Sequence, residues 1–116
     1  MNIEDRISPA FRRNAKIIGG DEIAWRGTDI VAVLNEIVRA GAVILGLESV
    51  VFQNGSSAPM VDAISDCSMW LPREPDEPWE HYADRTLARS ISDIERNVPN
   101  PYGNDVWYIV ASEQHS

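Results

Sequence analysis

The order of periodic segments in this chain predicts an α+β fold: a small mixed or antiparallel sheet of about three strands with two main helices packed on one face. Three observations carry that expectation. Apolar residues recur at helical spacing in two separate stretches. Runs rich in β-branched and aromatic side chains, bounded by turn residues, lie between and after them. A length of 116 residues leaves room for one core. The expected organisation is a single domain over residues 1–116, with an N-terminal arm over 1–20 and a core over 28–112.

Taken in order, the arm lacks a clear period to about Lys16, and Ser8-Pro9 breaks it early, which predicts a loop or short helix with a mobile tip. Gly19-Gly20 separates it from the rest of the chain. Thr28 is placed to cap a helix through its hydroxyl, with Asp29 favourably set against the dipole. Ile30, Val33, Leu34, Ile37 and Val38 form one apolar face of that helix, and Gly41 ends it as a left-handed residue. Ala42 to Leu45 then reads as a buried strand continuing through Ser49-Val50-Val51-Phe52, with Gly46 allowing a bulge or a close approach. Asn54-Gly55 signals a turn, and a second, antiparallel strand is expected within residues 61–71. Pro72, Pro75 and Pro78 delay helix formation, so residues 77–98 read as the longest helix. Its apolar face is expected to comprise Trp79, Ala83, Leu87, Ile91, Ile94 and Val98. Residues 99–105 form a loop, and Val106 to Ala111 a last strand.

Composition narrows the function. The longest apolar stretch, Ala40 to Leu47, is far shorter than the ~20 residues a membrane-spanning helix needs. The opening MNIEDRISPA has acids and no apolar run, so no signal peptide is expected. Cys67 is the sole cysteine, which rules out an internal disulfide and fits a reducing cytoplasm. Eighteen acids against ten bases give a formal net charge of −8, which disfavours nucleic acid and anionic membrane as partners.

The charge is unevenly spread. Residues 1–16 carry Arg6, Arg12, Arg13 and Lys16 against Glu4 and Asp5, a net +2. Residues 62–84 carry Asp62, Asp66, Glu74, Asp76, Glu77, Glu80 and Asp84 against Arg73 alone, a net −6. Such a stretch is either a solvated surface that aids solubility or a docking face for a basic partner. On the long helix, Glu77, Glu80 and Asp84 fall on one flank and Arg85, Arg89 and Arg96 on the other. Arg89 and Asp93 can pair at i,i+4, whereas the acidic flank has no partner at that spacing.

Candidates for chemistry are few. Cys67 and His81 could form a nucleophile and base only if the fold brought them together, and the acids around Cys67 would raise its pKa. Cys67 is expected to be a packed side chain. Glu80, His81 and Asp84 lack a further His or Cys at ligand spacing, so no metal is expected. No glycine-rich phosphate loop is present, and no cofactor is implied. Of the four tryptophans, Trp107 is expected in the core. Trp70 and Trp79 bracket the proline-rich acidic loop and are either core residues or exposed interface anchors.

The helix ending Ile37-Val38-Arg39-Ala40-Gly41, the strand Ala42-Val43-Ile44-Leu45-Gly46 with Glu48, the Trp70 segment, the helix Trp79-Glu80-His81-Tyr82-Ala83-Asp84-Arg85-Thr86 and the final Trp107-Tyr108-Ile109-Val110 together resemble the immunity protein 40 family of bacterial polymorphic toxin systems. The similarity spans residues 28–112. It implies a small cytoplasmic α+β protein, not an enzyme, that binds and neutralises a cognate toxin domain. The expected partner-binding set is Asp62, Asp66, Trp70, Glu74, Asp76, Glu77, Trp79, Glu80 and Asp84, facing a basic toxin surface. The competing readings are an adaptor or subunit of a larger assembly and a small Cys67/His81 enzyme. Oligomeric state is left open.

Overall fold

A computed structural model describes residues 3–18, 22–52, 60–66, 71–96 and 106–115, and for 3–4 and 60–66 the backbone alone. The Gly19-Gly20 separator, the Asn54-Gly55 turn, Cys67, Trp70, Val98 and the 99–105 loop lie outside these residues. A 3-10 turn over Ile3–Arg6 leads into α1 (Pro9–Asn14), β1 (Lys16–Ile18), β2 (Glu22–Arg26), α2 (Ile30–Arg39), β3 (Ala42–Val51), β4 (Met60–Asp66), α3 (Trp79–Arg96) and β5 (Val106–Gln114). The fold is α+β, as expected, with an antiparallel sheet in the order β1-β2-β5-β3-β4. The three anticipated strands form β5-β3-β4, and two short strands extend them on the β5 side.

Within the arm, α1 is the short helix expected there as the alternative to a loop, whereas the strands β1 and β2 were not anticipated. Ile7 is buried in the main core. The Ser8 amide donates to the Glu36 carboxylate at 2.9 Å, and the Ser8 hydroxyl bonds its other oxygen. Arg6 donates to the carbonyl of Ala40 at 3.1 Å, where a cation meets the negative end of α2. The arm is thus fastened to α2 at two points. Trp25 of β2, only 2% exposed, belongs to the same core.

Helix α2 follows its apolar period: Ile30, Val33, Leu34 and Ile37 are its buried residues. They meet Ile44, Leu47, Val51, Val106 and Tyr108 from the sheet. The cap differs from expectation. Asp29, not Thr28, is the N-cap, and its side chain makes no capping hydrogen bond because its backbone is already helical. At the other end Gly41 adopts φ 100°, the left-handed conformation anticipated for it. Gly27 is needed for space, since a Cβ there would stand 2.5 Å from the Val106 carbonyl oxygen.

Gly46 marks a bulge. Ile44 pairs with Ser112 and Gly46 with Ala111, so Leu45 is the extra residue on β3. The Ile44 amide donates instead to Thr86 Oγ1 of α3 at 3.0 Å. Thr86 passes its own hydroxyl hydrogen to the Ala83 carbonyl, and Ser90 donates to the carbonyl of Thr86. Thr86 and Ser90 are completely buried. The inner face of α3 is therefore Tyr82, Ala83, Thr86, Ser90, Asp93 and Ile94, rotated from the expected apolar stripe; Leu87 and Ile91 are only partly covered. Small hydroxylated residues let the helix sit close enough to the strand to satisfy the bulge, which long apolar side chains would prevent.

Helices α2 and α3 lie side by side on one face of the sheet. On the other, Ile18, Ala24 and Val50 form a smaller cluster with Phe52, Trp107 and Ile109. Trp107 is half-buried there instead of joining the main core. The Lys16 ammonium stands 4.5 Å from the Phe52 ring centre and 4.8 Å from that of Trp107. Among the described residues no helix is long and apolar enough to cross a membrane.

Candidate functional site

The acidic segment enters α3 through a tight turn. The Glu77 amide donates to the Glu74 carbonyl at 3.1 Å, with Pro75 at the second position, where its fixed φ favours such a turn. The Glu74 amide returns a hydrogen bond to Glu77 Oε1 at 3.0 Å, and Arg73 Nε donates to the Glu77 carbonyl at 2.9 Å. Glu77 therefore precedes the helix proper, which begins at Trp79.

That displacement changes what Glu77 does. Arg85 grips its carboxylate with two hydrogen bonds, Nε to Oε2 and Nη2 to Oε1, both 2.6 Å. His81 Nδ1 lies 2.5 Å from Oε2. The Glu77 side chain is only 4% exposed, so the carboxylate is enclosed by its partners. The paired hydrogen bonds from Arg85 outweigh the opposing effect of burial and hold its pKa down at about 2; the Glu74 amide and His81 add to the effect. Glu77 in turn raises the pKa of Arg85, and Arg85 Nη2 also donates to the Pro72 carbonyl at 3.0 Å. The expectation that the acidic flank has no partner within the chain is corrected for Glu77. A helical projection put it opposite Arg85, but a residue in the preceding turn is not bound by that projection.

Glu80 and Asp84 behave differently. Both are exposed on α3, one helical turn apart, and neither takes part in an ion pair among the described residues. Glu74 and Asp76 are exposed in the turn just before them. The arginines of the helix are engaged elsewhere: Arg89 Nε bonds Asp93 at 3.0 Å, the pair anticipated from i,i+4 spacing, and Arg96 approaches the same carboxylate at 3.7 Å. Asp62 and Asp66 lie on β4, a strand that α3 contacts; their side chains, like Trp70, fall outside what is described. The remaining charged surface is Glu74, Asp76, Glu80 and Asp84.

Trp79 is half-buried and tied down. Its indole N–H donates to the Gly41 carbonyl at 2.8 Å. Its ring stacks on His115, with centres 4.7 Å apart, and the Arg73 guanidinium lies 5.4 Å from its centre. It links the first turn of α3 to the end of α2 and to the residue after β5, so its burial serves the fold. Among the described residues no group of three His, Cys, Asp or Glu side chains is disposed to hold a metal ion. His81 is exposed and oriented by Glu77.

Sequence reasoning missed the roles of Arg85 and His81. The signal available was the Glu-Pro-Asp-Glu-Pro run, whose prolines place Glu77 outside the helix. No protein-family model matches the chain, and neither a curated protein nor a solved structure is a match for it.

Proposed function

We propose that this protein is an immunity protein: it binds a cognate toxin domain and neutralises it in the cell that makes it. The observation that carries the reading is the set of exposed carboxylates, Glu80 and Asp84 on α3 with Glu74 and Asp76 before them, left without an ion pair among the described residues. An inhibitor must find its target quickly. A concentrated negative field facing a basic cleft raises the association rate and confers specificity. Glu77 is removed from the contact set because Arg85 already occupies it, and Trp79 because its indole is used within the fold. The resemblance over residues 28–112 points to the same activity and to the cytoplasm as its place of action.

The direct test examines the adjacent reading frame for a toxin-like domain, co-expresses that domain with this chain, and measures growth with wild-type protein and with Glu80→Lys/Asp84→Lys. Protection by the wild type and its loss in the double reversal support the reading. Full protection by the double reversal removes the acidic flank from the interface, and no protection by the wild type removes the immunity function.

A further inference from the structure

At the opposite edge of the sheet the charge is reversed. Among the described residues β1 borders only β2, so one side of its backbone has no described strand beside it. Ile17 on this strand is 78% exposed, the most exposed large apolar side chain among the described residues. It pairs across from Ile23. With Pro9 and Trp25 these residues line a groove of about 380 Å³ between α1 and the sheet, with Arg12 and Arg13 also on its wall. Arg12 is only loosely engaged, 3.8 Å from Asp5, with both side chains about half exposed. Arg13 is exposed and forms no ion pair among the described residues. The other face of the same edge carries Lys16 and Arg26, both exposed, with Glu22 the carboxylate among the described residues of β1 and β2.

We infer that this edge docks an extended segment of a partner protein in which acidic side chains alternate with apolar ones, added beside β1 as a sixth strand. An open strand edge supplies main-chain hydrogen bonds to any extended chain. Side-chain alternation then sends one set of residues over the groove, to cover Ile17, and the other set towards Lys16 and Arg26. A second copy of this chain pairing β1 to β1 would bring the same arginines and lysines together, so the charge selects a different, acidic occupant. This surface is separate from the α3 flank, which is opposite in charge and belongs to a helix packed on β3 and β4.

The probe is a fluorescein-labelled hexapeptide of alternating valine and glutamate, with the valine–lysine hexapeptide as its counterpart, titrated into the full chain at low salt and followed by anisotropy. The glutamate peptide is expected to bind at least about tenfold more tightly than the lysine peptide. Ile17→Glu, which places a negative charge on the open edge, and Lys16→Glu/Arg26→Glu, which reverses the face that receives the acidic set, are each expected to abolish that preference. All three positions are exposed, and unchanged melting midpoints verify that the variants fold. Equal affinity for the two peptides, no binding of either at about 1 mM, or binding unaffected by both variants overturns the inference. So does self-association of the chain that Ile17→Glu abolishes, because a second copy would then be the occupant.

Discussion

The inner and outer sides of α3 both carry polar residues, and the two sets are treated in opposite ways. Inside and at the entry turn, Glu77, Thr86, Ser90 and Asp93 are buried, and each is matched: Glu77 by Arg85 and His81, Thr86 by the Ile44 amide, Ser90 by the Thr86 carbonyl, Asp93 by Arg89. Outside, Glu80 and Asp84 have water and, among the described residues, no ion pair. Buried polar atoms require partners because leaving them unmatched costs more than a made hydrogen bond returns. Exposed carboxylates face no such requirement, so they are free for another molecule. A charge count over residues 62–84 merges the two kinds; burial and pairing separate them.

The largest difference should come from Glu77→Ala, which leaves the Arg85 guanidinium without its carboxylate and with only the Pro72 carbonyl to bond. Urea denaturation should show a greater loss of stability than for any other single carboxylate change in the acidic segment, and equality with Glu80→Ala would dissolve the distinction. Next, Thr86→Val keeps the volume but leaves the Ile44 amide buried and unpaired, a cost of about 1–3 kcal/mol, read from the same denaturation curves.

Acid should reveal the same pair. Glu77 has a folded pKa of about 2 against a reference value of 4.5, so between these values the unfolded chain binds the proton that the folded chain refuses. Its stabilisation is complete above the unfolded value and is lost as pH falls from about 4.5 to about 2. Glu77→Gln should flatten this part of the stability–pH curve; an unchanged slope would mean the ion pair is not formed in solution. The smallest effect belongs to the outer side. Glu80→Gln/Asp84→Asn should shift stability by no more than about 0.5 kcal/mol per site, because the lost charges had no partner in the fold.

Elements with strong local periods were legible in the sequence. Ile30, Val33, Leu34 and Ile37 spaced out α2, Gly41 ended it and Gly46 marked the bulge. The inner face of α3 was not, because Thr86 and Ser90 lie outside the stripe that apolar periodicity picks out, and the bulge they satisfy lies on another element. β1 and β2 were hidden for a related reason: they are short, and β2 is fixed by pairing Ala24 with Ile109 at the far end of the chain. At the candidate site the acids themselves were evident from composition. Which of them were spoken for was not, since Glu77 reaches Arg85 only because the prolines hold it out of the helix.

The most direct measurement is the association rate of the proposed partner, a toxin domain, with wild-type protein and with Glu80→Lys/Asp84→Lys, at low and at high ionic strength. If the outer flank steers capture, the double reversal slows association by about tenfold or more at low salt, and the gap narrows as salt screens the field. Identical rates at both ionic strengths would contradict the account.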